Sequence, residues 1–213
     1  MFSRQIILVE NEALLRDLIA KSLDAAGFSV LTAANAADAK RAFAANDPDG
    51  MVVDIELGPG PDGMDLSAAI VAESPETAIV FLTNLPDPRI IGKDSAGIPK
   101  HAAYLRKSAL VDSNDLVDAL NAVLTGSDLK DFRHDLMTDR PFADLSRKQI
   151  EVLRQVANGL SNQQIAEARR TSIRAVEGIV SRTFDALGID VQAEGNARVE
   201  AAKLFFVTTR PGE

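Results

Sequence analysis

Several residues able to handle a phosphoryl group fall at the ends of short apolar runs in this chain. QIILV (5–9) is followed by Glu10, Asn11 and Glu12, and MVV (51–53) by Asp54, with Glu56 two places on. AIVFL (78–82) ends in Thr83, and AAYL (102–105) runs through Tyr104 towards Lys107. Carboxylates gathered in one place repel, so such a group calls for a cation. Mg²⁺ suits it, because that ion accepts one or two carboxylates together with phosphate oxygens. A carboxylate in that setting can attack a phosphoryl group to give an aspartyl phosphate. The Thr83 hydroxyl and the Lys107 ammonium would then hold the transferred oxygens. The stretch LGPGPDG (57–63) suits backbone that must pass close to a metal without side chains in the way.

The elements that must position these residues are legible as a pattern. The runs above, with FSVLTA (28–33), are short, partly β-branched and apolar on both faces, as strands of a covered parallel sheet are. Helical spacing fills 11–26, 36–46, 63–73 and 111–124. The first of these sets Leu14, Leu15, Leu18, Ile19 and Leu23 on one face and stops at Gly27. Between 86 and 99, Pro86, Pro88, Gly92, Gly97 and Pro99 leave room for barely two helical turns. Residues 1–125 are therefore expected to form an α/β domain, a doubly wound five-stranded parallel sheet whose carboxyl ends open onto a ligand crevice. Residues 126–142 are polar with alternating charge and read as a linker, with some helical tendency from Leu129 to Leu136. Residues 143–213 read as an all-α domain, with helices over 146–158, 161–168, 172–187 and 195–206.

Composition narrows the function classes. Cysteine is absent, which removes disulfides, thiolate chemistry and cysteine-based zinc sites, and the two histidines stand far apart. No apolar run approaches the ~18 residues of a membrane span, and the N-terminus lacks the features of a signal peptide. A cytoplasmic location is the expectation. The net charge of −8 hides an asymmetry. Residues 1–125 carry −8 and residues 141–213 carry +1, while 146–184 hold 7 basic residues against 3 acidic ones. Two domains with different partners are implied.

Residues 4–124 resemble the receiver domain of two-component response regulators, a flavodoxin-like fold. Its marks are an acidic pair after the first strand, an Asp after the third, Ser or Thr after the fourth and Lys after the fifth. The resemblance implies that Asp54 is the phosphoacceptor, Thr83 the switch hydroxyl, Lys107 the conserved lysine and Tyr104 the switch aromatic. It assigns Glu10, Asn11, Asp54 and the main-chain carbonyl of Glu56 to Mg²⁺, and a histidine kinase as phosphodonor. Asn11 departs from the family, which usually has a metal-binding Asp there. Ser108 stands where proline is common, and the proline-broken 86–99 replaces a helix.

In the helical half, Asp144 or Ser146 can cap a helix burying Ile150, Leu153 and Val156. Gly159 ends it, and Ser161 with Gln164 forms a capping box for a short helix burying Ile165 and Ala166. Ser172 caps a longer helix that buries Val176, Ile179, Val180, Phe184 and Leu187. Two short helices, a turn and a longer capped helix read as a helix-turn-helix. VANGLSNQQIAE (156–167) gives this half its resemblance to the LuxR-type (NarL/FixJ) DNA-binding domain, and NARVEAAKLFF (196–206) then resembles that family's fourth helix. Arg174, Gly178 and Arg182 share one outward face of the longer helix, which a major groove about 12 Å wide can admit. Ser181 belongs to the same DNA-binding set, and Arg147, Arg169 and Arg170 are expected on phosphates. Glu177 stands where many members have a basic residue.

The resulting expectation is a response regulator phosphorylated on Asp54 that binds double-stranded DNA as a homodimer and regulates transcription. RNA polymerase is a further partner, and the chain is not an enzyme on external substrates. Three rivals stay open here. One is a regulator governed by a ligand, a partner or dimerisation without phosphorylation. Another is an aspartate-based phosphohydrolase using Asp54 and Glu56, although that acid pair normally closes a first strand. The last is an interaction protein whose helices contact only protein.

Overall fold

The computed structural model describes residues 3–138, 142–190 and 196–209. Two compact units emerge. One comprises Met1–Leu85 and Ala96–Met137; the other comprises Pro86–Ser95 and Thr138–Glu213.

The first unit is built on five parallel strands: β1 (Gln5–Val9), β2 (Ser29–Ala33), β3 (Gly50–Val53), β4 (Ala78–Thr83) and β5 (Ala103–Arg106). Their spatial order is β2-β1-β3-β4-β5, so chain order reverses between β1 and β3. That is where an open α/β sheet parts its crossover helices and leaves a crevice. The register sets Val9 beside Val53 and Thr83 beside Arg106. Glu10, Asp54 and Lys107 each follow directly on these rows, which delivers them to one end of the sheet. Helices α1 (Ala13–Ala25), α2 (Ala36–Asn46), α3 (Gly63–Glu73) and α4 (Ser113–Thr125) cover the sheet.

Alternate strand residues supply the two cores. Ile6, Leu8, Val52, Val80, Leu82 and Leu105 pack with Leu23 of α1 and with Leu116 and Leu120 of α4. On α1 the apolar stripe is wider than its contact. Leu23 is buried, whereas Leu14 and Leu18 point outward.

Part of the stretch read as a linker is folded in this unit. Lys130–Phe132 and His134–Leu136 form 3-10 turns. Arg133 bridges Tyr104 in parallel, and the Arg106 N–H donates to His134 Nδ1 at 3.0 Å. These bonds partner backbone groups on β5, at the edge of the sheet. Of the expected linker, 139–141 lie outside the described residues.

The second unit holds α5 (Arg147–Ala157), α6 (Asn162–Ala168), α7 (Ile173–Ala186) and α8 (Ala197–Thr209). Its starts follow from sequence. Ser146 with Gln149 and Ser161 with Gln164 make reciprocal capping boxes, and Ser172 accepts from the Ala175 N–H. The core joins Ile150, Leu153 and Val156 of α5, Ile165 of α6, Val176, Val180 and Phe184 of α7, and Phe205 of α8. Pro86–Ser95 belongs to this unit too, as a 3-10 turn at Pro88–Ile91 held by a clasp. Arg89 chelates the fully buried Asp87 and donates to the carbonyls of Leu145 and Phe142. Among the described residues, no helix is long and apolar enough to cross a membrane.

Candidate functional site

At the carboxyl end of the sheet, the Lys107 ammonium bridges two carboxylates. Its Nζ lies 2.6 Å from Glu10 Oε2 and 2.7 Å from Asp54 Oδ2. The remaining oxygens take main-chain donors: the Glu12 N–H at 3.0 Å from Glu10 Oε1 and the Glu56 N–H at 3.1 Å from Asp54 Oδ1. Glu10 and Asp54 are 1% and 6% exposed, so one lysine offsets two desolvated charges. Burial alone would lower the Lys107 pKa. The Coulombic pull and hydrogen bond of Asp54, joined by those of Glu10, outweigh it and hold the ammonium above its ordinary 10.5.

Thr83 is fully buried, and its hydroxyl accepts from the Leu85 N–H at 3.2 Å. Tyr104, also fully buried, donates its hydroxyl to the Leu85 carbonyl at 2.7 Å. One peptide residue thus ties the hydroxyl at the end of β4 to the aromatic of β5. Tyr104 already faces inward here, against Phe81.

Asn11, Glu12 and Glu56 are exposed at the rim. The Arg16 guanidinium holds this rim by donating to the Glu10 and Asn11 carbonyls. Among the described residues, no three acidic or histidine side chains converge as a metal cluster. What the site offers a hard cation is the Glu10–Asp54 carboxylate pair. That set suits Mg²⁺, which needs only one or two carboxylates when phosphate oxygens and water complete its shell.

The glycine loop serves two distinct purposes. Gly58 and Gly60 take φ of +85° and +113°, which only glycine adopts readily. Gly63 is needed for space, since a Cβ there would sit 2.1 Å from the Asp54 carbonyl oxygen. Its N–H donates to the Ile55 carbonyl at 3.0 Å, so the start of α3 is pressed against the backbone of the acid. Sequence reasoning assigned the glycines to metal approach and missed this contact. A glycine opening a helix directly after a capping Asp62 was the available signal.

In the helical unit, the outward face of α7 carries Arg174, Glu177, Ser181 and Arg182, all exposed, with Gly178 half-buried among them. Arg170 is exposed in the turn between α6 and α7. Arg147 is 63% exposed and touches Asp94 at 3.4 Å. Arg169 differs from the rest of the basic set. Its side chain is only 15% exposed and pairs with Glu151 of α5 at 2.6 Å, which ties the end of α6 to α5.

Residues 6–98 match the family model described as response regulator receiver domain, and residues 143–194 match bacterial regulatory proteins, luxR family. The chain is a response regulator of the receiver–LuxR type. Oxygen regulatory protein NreC of Staphylococcus haemolyticus is 26% identical over 159 residues, spanning 70% of this chain and 73% of that protein. NreC of Staphylococcus aureus strain MRSA252 is likewise 26% identical, over 78% and 81%. Among solved structures, a LuxR-family two-component response regulator from Aurantimonas shares 26% identity over 62% of this chain and 93% of its own, with a TM-score of 0.52. RcsB of Salmonella typhimurium has the same fold over 95% of this chain and 98% of its own, at 21% identity and a TM-score of 0.57. The doubly wound sheet followed by a four-helix domain is therefore this response regulator's architecture. Pro86–Ser95, shortly after Thr83, groups with the helical unit.

Proposed function

We propose that this response regulator accepts a phosphoryl group on Asp54 and, so modified, binds duplex DNA through α7 as a dimer to regulate transcription. The observation that carries the first half is the ammonium of Lys107 lodged between Asp54 and Glu10. An Asp54 oxygen attacks the phosphorus of a phosphohistidine. The P–N bond breaks, its electron pair stays on the imidazole, and an aspartyl phosphate forms. Lys107 then moves from carboxylate to phosphoryl oxygen, and Thr83 turns its hydroxyl from Leu85 to another. Glu10, Asn11, Asp54 and the main-chain carbonyl of Glu56 would hold Mg²⁺, whose charge offsets that of the phosphoryl oxygens. Because Leu85 also accepts from Tyr104, the turn of Thr83 loosens the aromatic, and the signal starts along the chain entering Pro86.

The phosphodonor must approach over α1 and the start of α4. Leu14, Leu18 and Val111 are 74%, 55% and 91% exposed there, beside a groove that reaches Lys107. A histidine kinase presenting a helical face fits this apolar surface. The proposed dimer uses α8, whose Val199 and Val207 are exposed, and RNA polymerase is the downstream partner. The exposed Asn11 favours a second reading, control by dimerisation without phosphorylation. Incubation with acetyl phosphate and Mg²⁺ decides between them. A phosphoryl mass increment in the wild type, absent in Asp54→Ala, supports the first reading, and DNA titrations indifferent to acetyl phosphate support the second.

A further inference from the structure

The outward face of α7 holds a glycine that its backbone does not require. Gly178 sits mid-helix without a positive φ, where glycine costs ~1 kcal/mol relative to alanine. Space explains it. A Cβ at Gly178 would lie 3.3 Å from Arg182 Nη1, so the arginine runs back along the helix with its guanidinium over bare backbone. Buried Val176, Val180, Thr183 and Phe184 define the inner side of α7, which puts Gly178 at the middle of the opposite one. Glu177 is exposed beside it, and Arg174 stands three residues before Glu177, a spacing that allows an ion pair. Among the described residues, neither Arg174, Glu177 nor Arg182 joins one, whereas Arg169 does.

An acceptor and a donor thus stand open on the exposed side of α7, five residues apart. A surface meant only for phosphates would exclude the carboxylate, since it repels the backbone. Base edges accommodate both charges: guanine presents O6 and N7 to arginine, and the cytosine amino group donates to a carboxylate. We propose that α7 reads a G·C-containing step with this unlike pair, Arg182 over Gly178 donating to guanine and Glu177 accepting from cytosine. The inference rests on the DNA-binding reading above.

Selection from a random duplex pool, with the full-length chain treated with acetyl phosphate, tests it. The wild type is expected to select a G·C pair that Glu177→Ala no longer requires, with discrimination there falling about five- to a hundred-fold. Glu177→Gln shifts that position towards adenine, which glutamine recognises. Gly178→Ala, which crowds Arg182, raises the melting temperature yet weakens the guanine preference, separating folding from reading. Identical selected sites for wild type and Glu177→Ala, or uniformly tighter binding to every sequence, overturn the inference and leave DNA binding standing. A wild type that retains no duplex at low salt overturns the DNA-binding reading itself, and this inference with it.

Discussion

The carboxyl end of the receiver sheet and the outward face of α7 use charge in opposite ways. Glu10, Asp54 and Lys107 are buried and bound to one another, while Arg174, Glu177 and Arg182 are exposed, and none joins an ion pair among the described residues. Burial makes the difference. A desolvated charge persists only with a partner, so the receiver site acts by exchanging partners, and on the proposed function the species exchanged is a phosphoryl group. The α7 face has nothing to exchange. On the proposed function, its control comes from how the helix is presented, which separates the chemistry of phosphorylation from that of recognition.

The largest effect should come from emptying the middle of the buried cluster. Lys107→Met leaves two carboxylates facing each other and is expected to cost the receiver ~3–5 kcal/mol, read as an earlier urea transition. Adding Glu10→Gln should recover part of that loss. The pH dependence has a definite sign. The Lys107 pKa is raised on folding above 10.5, so its contribution is complete below 10.5 and fades as pH rises through the folded-state value. Urea midpoints falling in that alkaline window in the wild type, and not in Lys107→Met, would confirm it. Removing Arg174 or Arg182 should scarcely move stability, because among the described residues neither side chain joins an ion pair.

Glycine gives a sharper form of the same contrast. Gly63→Ala forces a methyl group into the Asp54 carbonyl and is expected to cost ~1–3 kcal/mol while slowing phosphorylation. Gly178→Ala meets only the far end of a flexible arginine and should gain ~1 kcal/mol. Thermal melts of the two variants should move in opposite directions. A shared direction would mean that the two backbones are not constrained as described.

What the sequence disclosed follows from the range of the forces involved. Asp54, Thr83 and Lys107 were legible because a parallel sheet brings all its strand ends to one side. The caps at Ser146, Ser161 and Ser172 were legible because capping acts within four residues. Contacts between distant segments were not. Gly63 against Asp54, and Arg89 against the Leu145 carbonyl, depend on where loops meet. The apolar stripe of α1 ran through Leu14 and Leu18, yet periodicity marks a face without saying how much of it finds a neighbour. Arg169 and Arg170 looked equivalent on paper and differ because Glu151 of another helix takes the first.

That neighbouring pair supplies the finest test. Arg170 holds a φ of +51° in the turn before α7, a left-handed conformation that costs a side chain roughly 1 kcal/mol or more. Glycine would occupy it without strain, so an exposed arginine there lowers stability and keeps a cation beside α7. Arg170→Gly is therefore expected to raise the melting temperature of the helical unit while weakening DNA binding evenly across sequences. The slope of log affinity against log salt should fall by about one, the signature of one lost phosphate contact. Arg169→Gly should do the reverse to stability, because it removes the partner of Glu151. An unchanged salt slope in Arg170→Gly would show that its guanidinium touches no phosphate, and the strained turn would then have to serve the geometry between α6 and α7 alone.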